Sequence, residues 1–93
     1  MEQIREEIDD IDAQLLKLLA RRFSLCERIA AQKHAKKSAI TDPGREARMF
    51  AARTKSFAEL GFDDPSFVAR FFAVIIAKSK ELQERAMRKL EQK

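Results

Sequence analysis

Two cations stand where a buried helix face should be apolar. In the stretch RRFSLCERIAAQK, Arg22, Ile29 and Lys33 are separated by seven and eleven residues. Those steps return a helix to within about 20° of one direction. The same line runs back through Leu19, Leu15 and Ile8 and includes Cys26, all apolar at 3-4 spacing, which is the pattern of a buried face. Burying an unpaired charge costs several kcal/mol even after relaxation. Arg22 and Lys33 therefore either snorkel to water or meet an anion inside, and their spacing alone leaves both open. Near the other end of the chain, Ser79 and Gln83 lie at i, i+4 on the face that carries Val68, Phe72 and Ile75. They are neutral hydrogen-bonding groups on an apolar seam, and a buried Gln needs partners.

Such a set of cations and neutral donors binds a small polyanion and stabilises negative charge that develops on it. Other chemistries lack their residues. Cys26 has no His/Asn set in support, which leaves it a small core residue. His34 has no companion at metal-ligand spacing, and no Gly-rich phosphate loop occurs. Arg5 lies near the Arg22 stripe but 17 residues away, about 26 Å along a helix. It cannot reach the same small ligand from the same chain, though in an antiparallel dimer a second copy's Arg5 could.

The elements that must position these groups are helical. The 93 residues make one domain, 1–93, with 37% charged and 45% hydrophobic residues, two Gly and two Pro. A first helix is expected over about 2–36, from Ile4, Ile8, Ile11, Leu15, Leu18, Leu25 and Ile29 at 3-4 spacing without Pro or Gly. Its length of about 50 Å exceeds the roughly 32 Å diameter of a compact chain this size. Its apolar stripe therefore needs another chain, most simply a second copy. The stretch His34–Thr41 breaks the pattern and reads as a loop. Asp42 as N-cap and Pro43 at the first position start a second helix that ends near Leu60, with Gly61 at C′. Its apolar residues are thin: Ala47, Phe50, Ala51, Phe57 and Leu60. Arg45, in its first turn, is a cation at a positive helix end, which asks for another reason. Asp63-Asp64-Pro65 starts a third helix over about 66–90, its charged tail after Met87 expected to fray.

The net charge of +4 is mild and tolerates a small anion. One Cys fits a reducing compartment, and neither a signal peptide nor a membrane-length apolar run is present. A cytoplasmic protein is expected.

At this point the residues match a known pattern. The chain resembles the all-helical chorismate mutases, in their short free-standing bacterial form. The likeness spans the opening IREEIDDIDAQLLKLLARR, the RIAAQK ending of the first helix, the DPGRE junction and the closing RFFAVIIAKSKELQ. Each motif alone is weakly specific; in this order and spacing they are strong together. The resemblance implies an all-α fold, a three-helix protomer in an intertwined homodimer with two shared sites. It implies the Claisen rearrangement of chorismate to prephenate in aromatic amino-acid biosynthesis, without cofactor or metal.

The resemblance also implies roles for residues. Arg22 grips a substrate carboxylate, and Arg5 of the partner subunit clamps a carboxylate from the other side. Lys33 and Gln83 meet the ether oxygen. Asp42 through its backbone and Glu46 through its carboxylate meet the ring hydroxyl, and Arg45 shapes that side. Ser79 lies near the ring carboxylate, and Ile29 forms the apolar wall under the ring. Ala30 stands where related chains are expected to have Gly, and Gly44 precedes Arg45. Neither removes a site residue. Isochorismate pyruvate lyase and aminodeoxychorismate mutase are the same-fold alternatives, and Glu46 favours a substrate bearing a hydroxyl. A non-catalytic helical dimer binding nucleic acid or a partner helix is the alternative of another class. Acids such as Glu6, Glu7, Asp9 and Asp10 interrupt any basic stripe it would need.

Overall fold

The computed structural model describes residues 1–40 and 42–92; Thr41, expected at the end of the loop, lies outside the described residues. Among the described residues there are three helices: α1 (Glu2–Lys36), α2 (Pro43–Glu59) and α3 (Pro65–Glu91). The fold is all-α, in the expected order of long, medium and long helices.

The uninterrupted 3-4 pattern of α1 gives one unbroken run of 35 residues. The helix ends at Lys36, the expected boundary; His34, Ala35 and Lys36, which the loop reading His34–Thr41 also took in, are its last turn, because nothing before Lys37 breaks the helix. Lys37 stops it by adopting a left-handed conformation (φ 56°, ψ 34°). The Ser38 N–H then donates to the Lys33 carbonyl (2.8 Å) and that of Lys37 to His34 (3.2 Å). This is the closing pattern in which glycine usually sits.

The other helix ends follow the expected chemistry. Asp42 Oδ1 accepts from the Arg45 N–H, and Asp64 Oδ1 from the Phe67 N–H, both at 3.1 Å. Each cap is followed by a proline in the first turn. At the end of α2, Gly61 takes φ +99° and the Phe62 N–H bonds back to the Phe57 carbonyl (3.0 Å). The Phe57 and Phe62 rings stack there with centroids 5.1 Å apart, the apolar contact that accompanies this type of stop. Phe57 also stacks on Phe67, which bridges the turn to α3. The α3 tail does not fray after Met87: the helix continues through Glu91 with Leu90 half-buried.

α3 packs on both α1 and α2. Glu46 meets Lys80 and Phe57 meets Phe67, so α2 and α3 run antiparallel. The buried apolar set is small: Cys26, Ala30, Met49, Val68 and Ile75. On α2 the buried residue is Met49, whereas Ala47, Ala51 and Leu60, expected on its apolar face, are exposed. Most of the α1 stripe is also uncovered, with Ile4 60%, Leu15 48% and Leu18 61% exposed. The molecule extends 54 Å with a radius of gyration of 16.4 Å, against about 12 Å for a compact chain of this length. No helix among the described residues is long and apolar enough to cross a membrane.

Candidate active site

The polar residues of the α1 and α3 seams face one another across a cavity of about 280 Å³. From α1 it receives Arg22, Cys26, Ile29 and Lys33; from the loop, Ile40; from α2 and its cap, Asp42, Arg45, Glu46 and Met49; from α3, Ile76, Ser79, Lys80 and Gln83. Eight of the nine residues singled out from the sequence thus line one space. The ninth, Arg5, lies outside it near the start of α1, with its side chain 66% exposed and 3.7 Å from Glu2.

Arg22 does not snorkel. Its Nη1 donates to Ser79 Oγ at 2.7 Å, and Nη2 lies 3.9 Å from the Met49 sulfur. Ser79 is buried and gives its own hydrogen to the Ile75 carbonyl one turn back (2.8 Å). Its oxygen is thereby left to accept from Arg22. The guanidinium is held from two helices with most of its five N–H donors uncommitted.

Lys33 is also turned inward. Its Nζ donates to the Ile40 carbonyl at 2.8 Å. That bond takes one of three ammonium hydrogens, so the loop fixes where the ammonium sits and leaves two hydrogens for a ligand. Gln83 is 8% exposed, and its Oε1 is buried without a hydrogen-bond partner among the described residues. A buried polar atom without a partner is costly. Oε1 is an acceptor, so what would complete it is a donor; a ligand oxygen without a hydrogen can be met only by the amide NH2 group.

The fourth wall comes from the start of α2. Glu46 Oε1 pairs with Lys80 Nζ at 2.8 Å. Asp42 spends one carboxylate oxygen on its cap bond to Arg45 N–H. Ile29, 43% exposed, contributes apolar surface. Four cations, Arg22, Lys33, Arg45 and Lys80, face two carboxylates, Asp42 and Glu46, an excess of two positive charges. The arrangement can hold a small dianion by charge, press it on an apolar wall, and aim an ammonium and an amide at one point.

Likeness to known proteins runs along almost the whole chain. The family model "Chorismate mutase type II" matches residues 4–84. The chain belongs to that family. A curated relative, "Chorismate mutase" of Methanocaldococcus jannaschii, is 32% identical over 91 residues, covering 98% of this chain and 91% of the relative. No solved structure matches. The resemblance drawn from the sequence and its all-α fold are thereby borne out, and the chain is an isomerase of the chorismate mutase type.

Met49, Lys80, Ile40 and Ile76 line the cavity without having been singled out. Met49 continues the face of α2 begun by Asp42, Arg45 and Glu46 at 3-4 spacing, and Lys80 lies four residues after Ile76 and three before Gln83. Helical spacing from the chosen residues would have reached both.

Proposed function

We propose that this cavity is the site where chorismate rearranges to prephenate, and that two copies of the chain complete it. The observation that carries the reading is the inward fixing of Arg22 on Ser79 beside Lys33 and the buried Gln83 amide on the same cavity wall. Chorismate is a dicarboxylate, and the cavity has two positive charges in excess. Arg22 takes one carboxylate with its free donors. Arg5 of the partner subunit clamps a carboxylate from the other side, so the enolpyruvyl arm is folded over the ring. Ile29 supports the ring face.

As the C–O bond breaks, negative charge grows on the ether oxygen. Lys33 and Gln83 both donate to it, and the bonds strengthen as that charge develops, which lowers the barrier instead of only tightening binding. Glu46 accepts from the ring hydroxyl through its unpaired carboxylate oxygen. Asp42 acts there through its backbone, which fits a side chain already used as a cap. Arg45 shapes this side of the pocket. Ser79 acts by holding Arg22 and by lying near the ring carboxylate. The reaction is unimolecular and draws on no cofactor.

The homodimer is supported by uncovered apolar surface. Ile4, Ile8, Ile11, Leu15 and Leu18 on α1 are all about half exposed or more, and the α2–α3 turn offers an apolar groove of about 250 Å³ lined by Phe57, Phe67, Val68, Phe71 and Phe72. The test is direct: purified protein mixed with chorismate consumes its absorbance and yields prephenate by chromatography. Incubated with isochorismate instead, the protein would be assigned the lyase reaction by pyruvate and salicylate as products, and no turnover of either substrate would leave the non-catalytic dimer.

A further inference from the structure

Lys80 is the one cation of the cavity that the roles above leave unused. Its pairing is unlike the others. Arg5–Glu2, Lys78–Glu81 and Arg85–Glu81 each join neighbours three or four apart on one helix. Lys80–Glu46 is the only ion pair among the described residues that joins two helices, at 2.8 Å, with side chains only 32% and 28% exposed. It closes the end of the cavity formed by the start of α2 and the middle of α3.

Glu46 with its charge uncompensated would attract an ammonium more strongly than a hydroxyl. Lys80 changes that preference. It occupies Oε1 and cancels most of the carboxylate's charge, yet leaves the other oxygen able to accept one hydrogen bond. A neutral hydroxyl loses little by this. An ammonium in its place meets a second cation within a few ångströms, in a site partly shielded from water. Building repulsion against the wrong ligand is a common source of specificity.

We propose that Lys80 is a specificity-determining residue that makes the Glu46 end of the cavity accept a ring hydroxyl and reject a ring ammonium. The inference rests on the role given to Glu46 above. It deepens that role by assigning the selectivity to a side chain that does not itself touch the substrate.

The experiment compares KM and kcat for chorismate with the inhibition constant for aminodeoxychorismate at neutral pH, in wild type, Lys80→Met, Lys80→Gln, Lys80→Arg and Glu46→Gln. Both neutral Lys80 variants should move the binding preference toward the amino compound by about ten-fold, the scale of one partly screened charge. The change lies in KM and the inhibition constant, with kcat largely kept, and Lys80→Arg restores the wild-type preference. Glu46→Gln should weaken chorismate binding. If it does so while the neutral Lys80 variants keep the wild-type preference, the Lys80 inference is overturned and the site reading stands. A preference that shifts as much in Lys80→Arg as in Lys80→Met also overturns it, since packing rather than charge would then be at work. Glu46→Gln with normal chorismate turnover removes the Glu46 role and the inference with it.

Discussion

Gln83 offers a way to read the proposed chemistry through pH. Its amide is an uncharged donor at every ordinary pH, buried with Oε1 unpartnered among the described residues. A carboxyl at this position donates only while protonated; once ionised it repels the charge growing on the ether oxygen. Burial disfavours the ionised form of such a carboxyl. Gln83→Glu should therefore be active on the acid side and lose activity as pH rises through the new carboxyl's titration, while wild type shows no such limb. A pH–kcat profile of the variant that matches wild type would remove Gln83 from the ether oxygen. Lys33→Ala should lower kcat by on the order of 10²–10³, the loss expected for one preorganised donor, with circular dichroism unchanged because the Lys33–Ile40 bond ties only a loop. Arg22, Lys33, Ser79 and Gln83 were legible in the sequence because each is polar on an otherwise apolar seam. Lys80 and Met49 were not singled out, although helical spacing from the chosen residues reaches both. A lysine among charged neighbours and a methionine on a helix look ordinary until folding brings Glu46 and Arg22 against them.

The helices were legible for a related reason. Caps and stops are local chemistry, so Asp42, Asp64 and Gly61 could be assigned from neighbouring residues alone. The end of α1 near Lys36 was legible too, from the break in its apolar pattern; what the sequence did not show is that Lys37 makes the stop by taking a left-handed conformation. The two glycines give opposite expectations for the same substitution. Gly44 lies in the first turn of α2 without a positive φ, and a Cβ there meets only the flexible end of Arg48 at 3.3 Å and Asp42 Oδ1 at 3.6 Å. Gly44→Ala should stabilise by about 0.4–1 kcal/mol by narrowing the unfolded ensemble. Gly61 has open space around it but φ +99°. Gly61→Ala should destabilise by roughly 1–2 kcal/mol through backbone strain. Chemical denaturation of the two variants at equal protein concentration should move the midpoint in opposite directions. A common direction would mean that packing, not backbone conformation, governs these positions.

For the whole molecule, the decisive facts are its length and its thin core. A 54 Å body with five buried apolar side chains among the described residues, and with half-exposed Ile and Leu along α1, has too little enclosed surface to stand alone comfortably. A second copy laid along α1 would cover that stripe. It would also account for Arg5, which lies about 26 Å along the helix from Arg22 and outside the cavity its own chain forms. The proposed sharing of the site between two copies makes a prediction that a single-chain site does not. Arg5→Ala and Arg22→Ala homodimers should each be nearly inactive, since every site in either lacks one carboxylate clamp. After exchange of subunits, a heterodimer contains one site with both arginines missing and one with both present. Random exchange at equal amounts puts half of the dimers in the mixed form, each with one intact site of two, so activity should recover to about one quarter of wild type. Exchange is followed independently by mass spectrometry with one chain isotopically labelled. Verified heterodimers without recovered activity would mean that Arg5 does not complete the neighbouring site, and the enclosure of chorismate by two subunits would have to be abandoned.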